Sequence, residues 1–434
     1  MTINAVASWR ALDQDQWDQS AGLFDAFVPG GEGGRLSFAS VVQHQFNGEV
    51  SAGGQTGNLR YLFGLFDFAE SARDRAIVAN TVVFDQSGTS YSQIPGIDLK
   101  TAPPTRSSRV HTRSRALFGR LAWAPAIWDG RFTIDAGLRY TEETKRGRQL
   151  IANGIPADGG ADGRNTALPQ IYAARRLAPA ASLAFDIDDG NRVYLKWSRA
   201  FRAGGANTRS PTFRTYGAEQ ISTWELGYKS SLFDRTLSLN LAAFASTLQN
   251  PQIDVGNFAN ISRSETVNGT RAIGIHGFEA DARLLALPGF VIDGNLAYTK
   301  VRGGVQDVFV DDVNSRIPIS ISYAPQFAAN LSVTRDFRIG RTLKAQAQLY
   351  GSIRGRERTG ITSDLASRAT DVGARLDIEG LAWRGADLKL GFWIKNLLNE
   401  RHEIWTYHNQ WPTAYDLRIF NDPRNIGMTL SVRM

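Results

Sequence analysis

Two groups of arginines and one group of aromatic residues are the parts of this sequence best suited to hold a ligand. Arg199 and Arg202, with Arg209 and Arg214, surround Gly204-Gly205, and Arg354, Arg356 and Arg358 alternate through a second segment. A guanidinium presents a planar fork of donors that suits carboxylates, catecholates and other anionic oxygens. The same arginines would serve equally by pairing with nearby Asp and Glu or with the phosphates of lipopolysaccharide. Trp405, Tyr407, Trp411 and Tyr415 lie together between Leu397 and Pro423. Aromatic residues so placed either grip a ligand or form a girdle at a membrane interface, and their spacing does not choose between the two.

Bond-making chemistry has a weaker footing. The five histidines are His44, His111, His276, His402 and His408. His276 falls on the apolar phase of its segment, and His402 and His408 lack the four-residue spacing of one helix face. Asp186, Asp188 and Asp189 beside Gly190 read as turn chemistry and lack the remaining ligands of a calcium loop. Neither a nucleophile elbow, a Walker loop, a dinucleotide fingerprint nor a zinc-protease motif occurs. With no cysteine, a disulfide scaffold, a zinc ribbon and a thiol enzyme are excluded. The reading is of a protein that is not an enzyme and carries no cofactor or metal of its own.

The elements that must position these residues are strands. Phe132, Ile134, Ala136, Leu138 and Tyr140 share one phase against Thr133, Asp135, Gly137 and Arg139. Val193, Leu195 and Trp197 oppose Arg192, Tyr194, Lys196 and Ser198, and Leu237, Leu239 and Leu241 oppose Ser238 and Asn240. Ile426, Met428, Leu430 and Val432 oppose Gly427, Thr429, Ser431 and Arg433. There are about sixteen such period-two segments, most as long as the roughly 9–11 residues that cross a bilayer as a tilted strand. The 42 glycines and 10% aromatic content fit a β composition, and the net charge of +7 is spread along the chain, which does not point to nucleic acid. No run approaches the roughly 18 apolar residues of a membrane-spanning helix.

The connections sort by length. Those at Pro125–Gly130, Asp188–Asn191, Leu232–Arg235, Ala286–Gly289, Phe337–Arg341 and Gly380–Gly385 are tight. Between them lie the long segments Glu70–Ser107, Lys145–Ala178, Arg202–Gly217, Asn250–Gly269, Arg302–Ala324, Gly355–Ser367 and Leu397–Pro423. A soluble sandwich has no reason for such parity; a transmembrane barrel has short periplasmic turns and long extracellular loops. In hydrocarbon every backbone N–H and C=O must pair, which strands achieve only in a closed barrel. The expected fold is therefore an all-β, antiparallel transmembrane barrel, apolar toward lipid and charged toward a wet bore.

Several segments, in order along the chain, resemble the TonB-dependent outer-membrane receptors. Ile3–Arg10 resembles the family's "S-I-T-A-Y-R" strand, and Leu138-Arg-Tyr140 with Lys145 its "G-L-R-Y…K". Val193–Asn207 is similar to "Y-x-x-x-S-R/K-G-F-K-x-G-G-F-N", and Glu219 with Trp224–Asp234 to "E-x-x-x-x-Y/W-E-L-G-x-K-S-x-L-F-D". Leu237–Phe244 resembles "L-x-L-N-x-A-x-F", and Asn268-Gly269 with Gly274, Gly277, Phe278 and Glu279 resembles "N-x-G-x-A-x-x-x-G-x-E". Tyr323-Ala-Pro325 resembles the "x-x-P" entry to a strand, Lys395–Arg401 "K-N-L-x-D/N-x-R/K-Y", and Pro423–Arg433 the closing "P-R-x-x-G" strand. The resemblance implies an outer-membrane receptor, a monomer, that captures a scarce solute such as a ferric siderophore. It also implies energy relayed by the TonB–ExbB–ExbD complex. Arg199, Arg202, Arg354, Arg356, Arg358, Trp405, Tyr407, Trp411 and Tyr415 are then the expected ligand contacts, with lipid and lipopolysaccharide around the wall.

The resemblance also carries departures. Family members have a TonB box and a plug inside a 22-stranded barrel, and neither box nor plug has a counterpart here. Met434 stands where the family usually ends in Phe. The first residues alternate as a strand, without an export signal. Residues 1–434 are thus expected to be a partial barrel domain, with about six strands of the 22 lacking. Other readings remain: a self-sufficient sixteen-stranded passive porin, a hydrolase, or a non-functional remnant.

Overall fold

A computed structural model describes the chain outside residues 20–29, 31, 34–35, 88–89, 97, 99, 153–154, 157–169, 208–214, 257–263, 311–312, 319–323, 358–366, 410–414 and 434. Sixteen long strands follow one another: β1 (Thr2–Gln19), β2 (Leu36–Thr56), β3 (Leu59–Ala79), β4 (Arg106–Trp123), β5 (Phe132–Ala152), β6 (Gln170–Asp188), β7 (Asn191–Arg202) and β8 (Glu219–Leu232). The second half comprises β9 (Leu237–Gln249), β10 (Ile273–Leu287), β11 (Phe290–Arg302), β12 (Phe327–Ile339), β13 (Leu343–Arg354), β14 (Ala369–Trp383), β15 (Ala386–Lys395) and β16 (Asn425–Arg433). Each pairs antiparallel with the next, giving one continuous meander. The short segment Ile155–Pro156 extends the edge beside β5.

Register carries a single parity around this wall, because directly opposed residues of antiparallel strands share a face. Leu195 faces Leu226, Leu226 faces Ala243, and Ala243 faces Phe278. All four look outward, and Leu226 is 55% exposed. One residue along, Lys196 faces Glu225, and Asp281 faces Asn295 across the next hairpin, inside the bore. Ion pairs tie the inner face together: Arg120–Asp135 at 2.7 Å, Arg375–Asp377 at 2.8 Å and Lys389–Glu379 at 2.7 Å. A wall one sheet thick has little interior. A small buried cluster, Phe38 and Ile77 with Leu36, Ala79 and Ala102, lies near the upper ends of β2 and β3.

The bore is also shaped by aromatic rings laid over inward glycines of the neighbouring strand. The rings of Tyr194, Tyr350 and Trp393 occupy the space a Cβ would take at Gly227, Gly373 and Gly427. These pairs sit directly opposite one another, so each glycine is where the backbone must accept a ring.

Connections alternate strictly: the hairpins after β2, β4, β6, β8, β10, β12 and β14 are short, and those after the odd-numbered strands are long. Trp383 pairs with Ala386 across Arg384-Gly385, which have φ of 51° and 82°. That is a two-residue turn whose twist matches its strands. Three register shifts, at Asp186/Asp188, Leu284/Leu287 and Ile378/Leu381, also fall beside short turns. Among the described residues, five of the long connections fold back as hairpins of their own: Val82–Phe84 with Tyr91–Gln93, Gly205–Ala206 with Thr215–Tyr216, Gln252–Gly256 with Ser264–Asn268, Val305–Val310 with Val313–Pro318, and Glu403–Asn409 with Tyr415–Phe420.

Two long connections are shorter than the sequence suggests. Glu70–Ala79 belongs to β3, Lys145–Ala152 to β5 and Gln170–Ala178 to β6. On these stretches the outward face turns from apolar to charged, at Arg73, Arg146 and Arg175, so the lipid-facing signature ends while the ladder continues. Strands β2 to β6 therefore rise well above the apolar band.

The sheet has a seam. β1 pairs with β2 along its length and β16 pairs with β15, and among the described residues no pairing joins β1 to β16. Nearly every residue of both strands is exposed.

Candidate functional site

The upper rim, where the long connections meet, gathers polar side chains whose partners are mostly loop backbone. Around Gly204, Lys145 Nζ donates to the Gly204 carbonyl at 2.8 Å and lies 3.4 Å from Glu143. Arg202 Nε pairs with Glu219 Oε1 at 2.8 Å, directly across the β7–β8 ladder. The other Glu219 oxygen accepts from the Gln252 backbone N–H at 2.8 Å, and the Gln252 amide donates to the carbonyls of Ala203 and Gly217. Asn268 accepts from Gly217 N–H at 2.6 Å and donates to the Asn250 carbonyl at 2.9 Å. Asn207 and Thr266 exchange two bonds in the same way. Gly204 is required here because a Cβ would run into the Tyr216 carbonyl and the Tyr172 ring. Burial, then the Asp254 carboxylate, pushes the Tyr216 hydroxyl up. These contacts fix three loop bases as one rigid shelf.

A second polar group lies where β13 and β14 meet the connection after β15. Arg354 Nη1 pairs with Glu357 Oε1 at 2.9 Å, and Glu357 is 4% exposed. Asn396, at φ 48° and buried, donates to the carbonyls of Glu400 and Asp422 and accepts from Glu400 N–H. Asn399 Oδ1 accepts from Arg424 N–H at 3.1 Å. The Lys395–Arg401 motif is thus a turn stapled by the Asn396 side chain, and both Asn396 and Asn399 clamp the returning chain. His402 N–H donates to Asn421 Oδ1, while its ring Nδ1 is buried without a partner. Burial first, and then the Arg354 guanidinium, holds the His402 imidazole below its ordinary value.

That imidazole makes the 396–424 connection acid-sensitive. Folding weakens the hold of His402 on a proton, so the folded state binds fewer protons than the unfolded one as pH falls below the usual 6.5. Stability is then full above that value and declines beneath it. Between pH 7.5 and 5.5, proteolysis within residues 403–420 is expected to rise as the pH falls. The acid-induced increase should vanish in His402→Gln; an unchanged increase in that variant would remove His402 as its cause.

The expected ligand contacts scatter over this rim. Arg199 lies on the outward face of β7, its guanidinium 5.8 Å from the Trp197 ring, and Trp197 packs beside Trp224 at 6.2 Å. Arg202, of opposite parity, faces the bore and Glu219. Arg354 faces the bore beside Glu357, and Arg356 is exposed just beyond the end of β13. Trp405, Tyr407 and Tyr415 belong to one hairpin, with Trp405 half-buried. Arg358 and Trp411 lie outside the described residues. Arg202 and Arg354 are six strand spacings apart, about 29 Å along the wall, so they do not form one cluster. What the fold does join is Arg354 with His402, and through them the 355–368 and 396–424 connections. Sequence reasoning passed over Lys145, Glu219, Gln252, Asn268, Glu357 and Asn396 as working residues. Four of them, Lys145, Glu219, Asn268 and Asn396, stood within the motifs, but only tertiary contact shows what their side chains hold.

A match to the family described as "TonB dependent receptor-like, beta-barrel" spans residues 2–397. Among solved structures, the ferric yersiniabactin uptake receptor FyuA from Yersinia pestis is similar at a TM-score of 0.71 and 16% identity, covering 99% of this chain and 58% of that one. The copper transporter OprC is similar at 0.69 and 12% identity, covering 99% and 62%. The ferric citrate transporter FecA is similar at 0.66 and 15% identity, covering 99% and 58%. At such identities the likeness is one of fold. This chain spans about three-fifths of the length of these proteins. With the family match covering most of its strands, the chain belongs to the TonB-dependent receptor β-barrel family.

Proposed function

We propose that residues 1–434 form most of the transmembrane wall of an outer-membrane receptor that takes up a scarce anionic chelate, a ferric siderophore, with energy relayed through TonB–ExbB–ExbD. The open seam carries this reading: sixteen strands aligned over nearly their whole length with just part of larger receptors leave room for further strands between β1 and β16. Completion to 22 strands would make the bore wide enough to hold a plug. Solute capture would fall to the upper rim, where Arg202, Arg354 and Arg356 suit anionic oxygens and Trp405 offers a ring face. The mechanism is binding followed by a gated conformational change, with no bond made or broken.

The test is uptake of radiolabelled ferric chelates in cells lacking their own siderophore receptors. Residues 1–434 joined to a family plug and the completing strands are expected to give uptake that disappears when TonB is deleted. Residues 1–434 alone are expected to give none. Steady conductance from the 434-residue chain in planar bilayers, with no need of TonB, would instead support a passive pore and overturn this reading.

A further inference from the structure

Inward glycines stand on three successive strands, β14 to β16, and a flat group covers each. The Tyr350 ring of β13 lies over Gly373 of β14, and the Trp393 ring of β15 over Gly427 of β16, each pair directly opposed. Between them the Arg375–Asp377 pair of β14 fills the space a Cβ would take at Gly391 of β15, which faces Asp377. Arg375 donates from Nε and Nη2 to the two Asp377 oxygens at 2.8 Å each, which fixes the plane of its guanidinium. Phenol, guanidinium and indole are all planar, and a side chain at any of the three glycines would push its cover off the wall. The result is a smooth panel facing the bore. Tyr350 is four residues below Arg354, the last residue of β13. At about 2.4 Å of climb per residue for a strand tilted about 45°, the panel lies about 10 Å beneath the rim.

What the panel leaves unused points to a ligand. Elsewhere in the bore, Tyr194 over Gly227 gives its hydroxyl to Glu225 at 2.8 Å and carries Lys229 beside its ring. The Phe118 ring over Gly64 is closed off by Arg139, whose guanidinium lies 5.6 Å from it and 4.9 Å from the Phe66 ring. In the panel, by contrast, the Tyr350 hydroxyl and the Trp393 indole N–H have no hydrogen-bond partner among the described residues, and both side chains are half-buried. A buried ring of either type ordinarily finds a partner for its polar end, so these two ends are presented to the bore. Lys395, two residues from Trp393 on the same face, is exposed, with its ammonium 5.5 Å from the indole ring. It forms no ion pair among the described residues, whereas Arg375 is already neutralised by Asp377. Asp371, opposite Ser352 in the row above Tyr350, repels an anion there and directs it down to Lys395.

We infer that Tyr350, Trp393 and Lys395, with the Arg375–Asp377 pair between the rings, form a binding station in the bore for a planar aromatic group bearing an anionic oxygen. Planar groups stack on ring faces and on a fixed guanidinium, and a free ammonium beside them takes the anionic oxygen. The inference rests on the uptake reading above and narrows its solute to one that carries such a group. Lys395 leads into the Asn396 turn and Tyr350 lies below Arg354, so a solute captured at Arg354 and Trp405 meets the panel next on its way down. Chelates built on aliphatic carboxylates alone gain no stacking there.

The test measures salicylate binding to the full receptor, purified in a mild detergent, by saturation-transfer NMR titration. Cyclohexanecarboxylate serves as a probe of equal charge without a planar ring. The parent is expected to bind salicylate at least about tenfold more tightly than cyclohexanecarboxylate. Trp393→Leu and Lys395→Gln are each expected to weaken salicylate binding at least about fivefold. Lys229→Gln, a charge removed elsewhere in the bore, should bind as the parent does. Heat-modifiable migration on gels checks that each variant is folded, and Lys395→Gln, which leaves every ring on its glycine, decides the matter if Trp393→Leu does not fold. Equal binding of the two probes by the parent, or undiminished salicylate binding by Lys395→Gln, would overturn the inference. TonB-dependent uptake is a separate readout. A receptor that binds salicylate as expected but takes up no ferric chelate would overturn the uptake reading and leave the panel; uptake without any preference for salicylate would do the reverse.

Discussion

In detergent, the seam-facing amides of β1 in the 434-residue chain are expected to exchange hydrogen at least about a thousandfold faster than amides of β8 and β9. β1 has 18 residues and is bonded on one side only, to β2. Since successive residues of an antiparallel strand point their N–H and C=O to alternate sides, about nine of them present both groups to the seam. β8 and β9 are bonded on both sides. In lipid each unsatisfied group costs several kcal/mol, so an unfilled seam is incompatible with a stable membrane wall. Supplying the completing strands should bring β1 and β16 to the protection of β8. Hydrogen exchange read by mass spectrometry, strand by strand, decides this. Uniform slow exchange in the 434-residue chain alone would mean that β1 and β16 close on each other, and the seam would be lost as an argument for further strands.

A charge set into the outward face should be costly where the same charge in the bore is not. Leu226 is at mid-height on β8, between Leu195 and Ala243, with its side chain toward lipid. Leu226→Arg in the complete receptor is expected to destabilise the folded barrel by about 2–4 kcal/mol in bilayer vesicles. Ala297, on the inward parity of β11, lies opposite Glu279 and Ala328. Ala297→Arg gains a carboxylate neighbour in a wet bore and should change stability by less than about 1 kcal/mol. Denaturant titration of the heat-modifiable band gives both numbers. Equal costs, or the reverse order, would mean that the parity carried around the wall by register is inverted.

Much of the architecture was legible in the chain because it is written locally. Phe132 to Tyr140, Leu237 to Leu241 and Ile426 to Val432 each show their outward face within one segment, since side chains alternate whatever lies beside them. Arg384-Gly385 and Asp129-Gly130 mark tight turns, and their positive φ is a property of those residues. The long segments after β3 and β5 were misjudged where apolar alternation gives way to Arg73 and Arg146. Above the membrane a strand needs hydrogen-bonded neighbours but no greasy face, and pairing is invisible in one strand's sequence.

The sequence by itself determined the strand number, the alternation of short and long connections, and which residues meet lipid, because turn preference and period-two patterning act over a few residues. It also held the opposite facing of Arg199 and Arg202, three positions apart in one strand. Only the tertiary structure decided that Arg202 is bound to Glu219 and Arg354 to Glu357, that His402 comes beside Arg354, and that Arg73, Arg109 and Arg148 line up in one row. It alone decided that β1 and β16 are left apart. These outcomes depend on inter-strand register, and a shift of one residue would move every one of those side chains to the other face.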